Sequence, residues 1–227
     1  MSTPHYNYLH LYANMGKQSY SAAEKETLTH AWVALAETLC EPKRLRFDIN
    51  GSGYGISKSS PYSLAKTFWA RLESKGYDKM HGITVVDKDY LPFRSQWVLS
   101  LRGEHEDRFE GEFFWPCHDA YDSTTARRIM DALLPVLELD YAYGYVCGDN
   151  MIFHEVIKEI FDGGLTAHTP EEVLAWQFEQ VKNIPQGAYR RLFDFNVFNA
   201  EQIKKLPENS GYLQTPLNKN LTLWTAR

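Results

Sequence analysis

The sequence has few of the residues that build metal sites or disulfide frameworks. Its three cysteines, Cys40, Cys117 and Cys147, are odd in number and widely spaced, which favours reduced thiols over disulfide pairing. Its eight histidines show no H-E-x-x-H spacing, and no C-x-x-C pair accompanies them. We therefore expect no metal site and no cofactor.

Long apolar runs and an excess of positive charge are also missing. No 18 apolar residues occur together, and the N-terminal stretch MSTPHYNYLHLYANM lacks the pattern of a secretory signal. Lys and Arg number 24 against 29 Asp and Glu, giving a net charge of -5, which argues against general binding to nucleic acid or anionic lipid. We expect a cytoplasmic protein with no nucleic-acid or membrane partner.

What is present indicates one packed domain over residues 1–227. The chain is 44% hydrophobic and 14% aromatic, and no linker, charge block or internal repeat divides it. Period-two strands alternate with helices, and two of the strands are joined by a short charged loop. The pattern predicts an α+β fold with a single mixed or split β-sheet and helices packed against it.

Several helix boundaries can be predicted from capping residues. Ser21 with Glu24 forms a capping box, Ser63 can cap a second helix, and Gly76 can end it. Further helices are predicted at 153–161 and from Thr169. The remaining predictions are a helix capped by Asp122 or Ser123, a strand over 189–198, a short helix capped by Asn199 and a terminal hairpin.

One pair of residues could carry enzymatic chemistry. Cys117 and His118 follow Trp115-Pro116, and a loop cysteine beside a histidine can be activated as a thiolate. Neighbouring side chains on an extended segment point apart, however, so catalytic Cys-His pairs normally come from separated elements. The alternative to a binding protein is thus a small cytosolic hydrolase or transferase with its site near these residues.

Two other segments could bind a partner. Glu104, Glu106 and Asp107 lie at a predicted hairpin tip, where they form either a solvated loop or an acidic contact for a basic protein. Tyr141, Tyr143 and Tyr145 alternate along a strand, so their rings share one face. They are either core packing or, if exposed, rigid interface anchors.

Three segments of the C-terminal half form a recognisable layout: FEGEFFWP (109–116), RRIMDALLPVLELDYAYGYV (127–146) and YRRLFDFNVFNAEQIKKLP (189–207). Their layout resembles that of bacterial immunity proteins of the type VI secretion and polymorphic-toxin class. In that class, a helix ending in Leu-Pro precedes a Tyr/Gly-rich strand, and an aromatic-x-Asn-hydrophobic strand leads into a short helix. Here Phe195 stands where a Trp is often found.

The resemblance implies a non-enzymatic protein that binds the toxin of a sister cell. It implies a cognate toxin acting in the cytoplasm as the partner. On this interpretation, the acidic residues Glu104, Glu106 and Asp107 steer the toxin, and Tyr141, Tyr143 and Tyr145 hold it. The sequence does not indicate an oligomeric state.

Overall fold

The computed structural model describes residues 5–15, 17, 19–54, 62–89, 93–101, 107–148, 175–176, 180–207 and 211–227. The α+β fold class is confirmed, and every strand pair with a defined register is antiparallel. The strands are β1 (His5–Ala13), β2 (Leu45–Gly51), β3 (Met80–Asp87), β4 (Arg94–Leu101), β5 (Asp107–Cys117), β6 (Leu139–Gly148), β7 (Phe195–Asn199), β8 (Tyr212–Pro216) and β9 (Leu221–Ala226). The helices are α1 (Ala22–Leu39), α2 (Ala65–Lys75), α3 (Ser123–Leu133) and α4 (Ala200–Ile203), with 3-10 helices at Pro42–Arg44 and Val181–Gln186.

The chain divides into two compact units. The central unit contains the described residues of Tyr12–Trp115 and Arg127–Leu139, and the terminal unit contains those of Met1–Leu11, Pro116–Ala126 and Asp140–Arg227. A single domain over 1–227 stays a prediction.

The central unit orders its strands β2-β3-β4-β5. Ile83 in β3 lies opposite Ile49 on one side and Trp97 on the other. The β4–β5 pair confirms the antiparallel hairpin predicted from the sequence, with Trp97 opposite Gly111. All of these apolar side chains are buried, so the alternation along the strands supplies one face of a core.

Helices α1 and α2 pack their aromatic residues into that core. The capping box of Ser21 and Glu24 starts α1 as predicted. The buried Trp32 ring lies 4.5 Å from that of Phe113, and its Nε1 donates to Ser95 Oγ at 3.1 Å. In α2, Phe68 stacks on Phe47 with ring centroids 4.9 Å apart.

The start of α2 differs from the prediction. Leu64, and not Ser63, is the N-cap, and it makes no side-chain capping bond. Ser63 instead bridges to Phe47 in β2, exchanging backbone hydrogen bonds and donating its hydroxyl to the Phe47 carbonyl. Pairing with a strand thus replaces capping at this residue. The helix ends at Gly76 as predicted, with φ of 79° at a position that favours glycine.

The terminal unit orders its strands β1-β6-β7-β9-β8. Gly144 in β6 is required by a close approach, because a Cβ there would overlap the Tyr121 side chain and lie 2.9 Å from the Tyr8 carbonyl oxygen. Two predicted caps are confirmed. Asp122 accepts from the Thr125 N–H at 3.0 Å, and Asn199 forms a capping box with Gln202 at the start of α4.

The predicted strand over 189–198 is shorter in the structure and spans Phe195–Asn199. Asp194, directly before it, still accepts from the Ala226 N–H of β9, but Arg190 and Phe193 bond to side chains. The Arg190 N–H donates to the Tyr141 hydroxyl, and Asn196 bonds both backbone groups of Phe193 through its amide. Side-chain partners can satisfy the backbone without a ladder, which explains the late start of β7.

Two predicted helices fall in parts of the chain that the structure does not describe. The helix at 153–161 and the helix start at Thr169 lie outside the described residues. Strand β5 runs through Trp115-Pro116 and ends at Cys117. No helix among the described residues is both long and apolar enough to cross a membrane.

Candidate functional site

The three tyrosines of β6 are buried. Tyr141, Tyr143 and Tyr145 are 0%, 2% and 6% exposed. The rings of Tyr143 and Tyr145 are nearly parallel, and both stack on Phe193, at 4.7 and 5.1 Å. These tyrosines could act as interface anchors only if they were exposed, and they are not. The stripe packs within the terminal unit, which is the alternative that the sequence left open.

A polar network runs through this aromatic cluster. The Tyr8 hydroxyl lies 2.7 Å from His10 Nδ1, and the Tyr143 hydroxyl lies 3.4 Å from the same nitrogen. Arg190 donates to the Tyr143 hydroxyl at 3.1 Å, with its guanidinium 5.6 Å from that ring. Burial raises the pKa of Tyr141 well above its ordinary value, so the phenol stays neutral. We call Tyr8, His10, Tyr141, Tyr143, Tyr145, Arg190 and Phe193 the tyrosine network.

Of the acidic hairpin formed by Glu104, Glu106 and Asp107, only Asp107 lies among the described residues. Glu104 and Glu106 lie outside the described residues, and Asp107 is the first residue of β5. Their assignment as partner contacts stays a prediction.

The surroundings of Cys117 do not activate its thiol. Its Sγ donates to the Ala120 carbonyl at 3.3 Å, and His118 is exposed. Burial raises the pKa of Cys117, and the carboxylates of Asp119, Asp122 and Asp194 raise it further. A raised pKa lowers the thiolate fraction at neutral pH, which is the opposite of what a nucleophilic cysteine requires.

An open groove of about 680 Å³ lies between α1 and α2 in the central unit. Its polar side chains come from both helices, and Glu26, His30, Glu37 and Glu73 are all exposed. Trp69 is half-buried and stacks on His30, with ring centroids 4.6 Å apart and planes 13° apart. Val33 and Leu72 form an apolar floor. We call this surface the α1–α2 groove.

The groove is negatively charged. Its lining residues include three glutamates and no lysine or arginine. Burial raises the pKa of Tyr77, and the nearby carboxylates of Glu26 and Glu73 raise it further. Two basic side chains of α2 bond outside the groove lining, since Arg71 donates to the Tyr54 carbonyl and Lys75 to that of Gly53. The side chains that line the groove thus carry a net negative charge.

Hydrogen bonds fix the walls of the groove. Lys25, which precedes Glu26 in α1, is buried. Its Nζ donates to the carbonyls of Asp78 and Met80 at 3.0 and 2.8 Å. The Tyr54 hydroxyl donates to the Gly76 carbonyl at 2.5 Å. The Lys25 bonds hold the segment that follows α2 against α1, and the Tyr54 bond holds the end of α2 against the turn after β2. The groove is thus preformed, which reduces the entropy lost on binding.

Sequence patterns alone do not single out this groove. Glu26, His30 and Glu37 recur at helical spacing, but the same spacing describes the polar face of any surface helix. A second signal was available in Phe68-Trp69, because adjacent residues on a helix cannot both face the core. Phe68 is buried and Trp69 turns toward His30.

No metal centre is formed by the described side chains. Within that part of the chain, no group of three or more His, Cys, Asp or Glu residues is placed to hold an ion.

Among known proteins, a similarity to this chain is found in a solved structure. No protein-family model matches the chain. No curated protein matches it. The fold is similar to that of the solved Pseudomonas aeruginosa T6SS protein PA0821, with a TM-score of 0.49 and 11% sequence identity. The match covers 97% of this chain and 65% of that one, so this chain spans less than two thirds of its neighbour's length.

Proposed function

We propose that the protein is an immunity-type binding protein that neutralises a cognate cytoplasmic toxin by protein–protein binding. The observation that carries this proposal is the α1–α2 groove, which combines exposed carboxylates with a half-buried tryptophan on fixed walls. Steering by charge and anchoring by an aromatic ring are the two features that a tight protein-binding surface requires. The resemblance of the C-terminal half to immunity proteins supports the same class.

The groove takes over the two roles that the sequence analysis gave to other residues. Its glutamates supply the steering charge first assigned to Glu104, Glu106 and Asp107. Trp69 supplies the aromatic contact first assigned to Tyr141, Tyr143 and Tyr145, which are buried. The acidic hairpin remains proposed as a second steering contact for the same toxin.

The test is co-expression with the protein encoded by the neighbouring open reading frame, which on this proposal is a toxin that stops cell growth. Co-expression of the wild-type protein should restore growth, and the purified proteins should form a complex. The variant Glu26→Gln/Glu37→Gln/Glu73→Gln should associate more slowly, with a weaker dependence on salt, because it removes the steering charge of the groove.

A matched control removes the same charge elsewhere. Glu41, Glu138 and Glu201 are exposed and do not line the groove, so their triple change to Gln should leave association nearly unchanged. Cells that die despite abundant folded wild-type protein would contradict the immunity function. Equal slowing by both triple variants would show that net charge, and not the groove, guides the toxin.

A further inference from the structure

Resting on the proposed function, we infer that the α1–α2 groove recognises an arginine side chain of the partner protein. A guanidinium is a planar cation that stacks on aromatic faces and forms paired hydrogen bonds with carboxylates. The groove offers both kinds of contact, a stacked ring pair and carboxylates from two helices.

The carboxylates are available for such a contact. Glu26, Glu37 and Glu73 form no hydrogen bond or ion pair within the part of the chain that the structure describes. Other exposed acids are engaged, as shown by Glu24 with Lys17 and Glu201 with Lys204. The groove therefore holds acceptors that a cation from outside can satisfy without displacing an existing ion pair.

The ring pair favours arginine over lysine. Trp69 contacts His30 face to face and Phe68 edge to face, so its plane is held by two neighbours. A planar group can extend such a stack, whereas an ammonium ion is a compact, strongly hydrated point charge. The apolar floor of Val33 and Leu72 matches the methylene stem of a long cationic side chain.

The experiment measures binding of fluorescent hexa-arginine, hexalysine and hexacitrulline peptides at low salt by fluorescence anisotropy. Citrulline keeps the planar shape of arginine but has no charge. Hexa-arginine should bind about two- to fivefold more tightly than hexalysine, the ratio expected for one stacked cation at an exposed site. Hexacitrulline should show no measurable binding.

Variants locate the contact on the protein. Glu73→Gln, His30→Ala and Trp69→Leu should each weaken hexa-arginine binding by about threefold or more, because each removes one side of the pocket. Glu201→Gln removes the same charge from α4 and should leave binding unchanged. If Trp69→Leu does not fold, Glu73→Gln and His30→Ala still decide the matter, since both residues are exposed.

Three results would overturn the arginine site. They are equal affinity for hexa-arginine and hexalysine, absence of hexa-arginine binding, and equal weakening by Glu201→Gln and Glu73→Gln. The assay contains no toxin, so its failure is distinct from failure of the proposed function. Protection in cells combined with no peptide selectivity would retain the immunity function and remove the arginine site.

Discussion

The α1–α2 groove and the tyrosine network contain similar residues, but the first is an exposed surface and the second is a buried cluster. Both combine a histidine, aromatic rings and charged groups. In the tyrosine network the rings are nearly inaccessible, and Arg190 and His10 bond to phenol hydroxyls. In the groove the carboxylates and His30 are exposed, and Trp69 is half-buried. Residue type alone therefore does not distinguish a stabilising cluster from a binding surface, whereas the burial of the side chains does.

The strongest test of this contrast compares one aromatic residue from each region. Tyr143→Ala should lower the free energy of unfolding by about 3–5 kcal/mol, because it leaves a cavity in a buried cluster. Trp69→Ala should lower it by about 1 kcal/mol, because that ring is only half-buried. Urea unfolding followed by circular dichroism measures both values. Equal losses would place Trp69 in the core and remove it from the binding surface.

The second-largest loss of stability is expected at Gly144, which packs tightly beside the tyrosine network. Gly144→Ala should cost about 2–3 kcal/mol, because the added Cβ would overlap Tyr121 and crowd the Tyr8 carbonyl. Adding Tyr121→Phe removes the hydroxyl nearest to the new methyl group and should restore part of the loss. The single variants complete a double-mutant cycle of unfolding free energies. Simple additivity would show that Tyr121 does not meet residue 144.

A smaller effect concerns the start of α1, the helix that forms one wall of the groove. Ser21→Ala should cost about 1 kcal/mol at neutral pH, because it breaks the capping box with Glu24. Lys17 and then Ser21 lower the pKa of Glu24 from 4.5 to about 2. The ionised carboxylate therefore stabilises the fold above pH 4.5, and this contribution is lost as the pH falls through 2.

The cost of Ser21→Ala should accordingly shrink between pH 4.5 and 2, as thermal unfolding over that range can show. Glu24→Gln is the control, since it removes the titrating group and should flatten the same pH dependence. A cost that stays constant down to pH 2 would argue against the coupling between Ser21 and the Glu24 carboxylate.

The smallest expected effect is the reactivity of the Cys117 thiol in the terminal unit. Cys117 should react with iodoacetamide at neutral pH more slowly than free cysteine, because its raised pKa leaves less thiolate. Mass spectrometry after timed alkylation identifies the modified residue, and Cys117→Ser supplies the control. Rapid, stoichiometric modification of Cys117 would favour the enzyme alternative over a binding protein.

Local features of the sequence were enough to predict much of the secondary structure. Ser21 with Glu24, Gly76 and Asn199 mark helix ends correctly, because capping depends on residues a few positions apart. The antiparallel β4–β5 pair follows from alternation and a short connection. Ser63 was assigned wrongly, because its partner Phe47 lies 16 residues away and competes with the local cap.

The candidate site depended on contacts that the sequence does not display. Alternation along β6 placed Tyr141, Tyr143 and Tyr145 on one face, but only the tertiary structure showed that Phe193 and Arg190 cover that face. Helical spacing likewise placed Glu26 and His30 on one side of α1, and only the packing of α2 brought Trp69 beside them. A side chain's direction follows from local backbone geometry, whereas its burial depends on which distant element packs against it. The sequence by itself therefore determined the fold class and the faces, and the tertiary structure decided which face is core and which can bind.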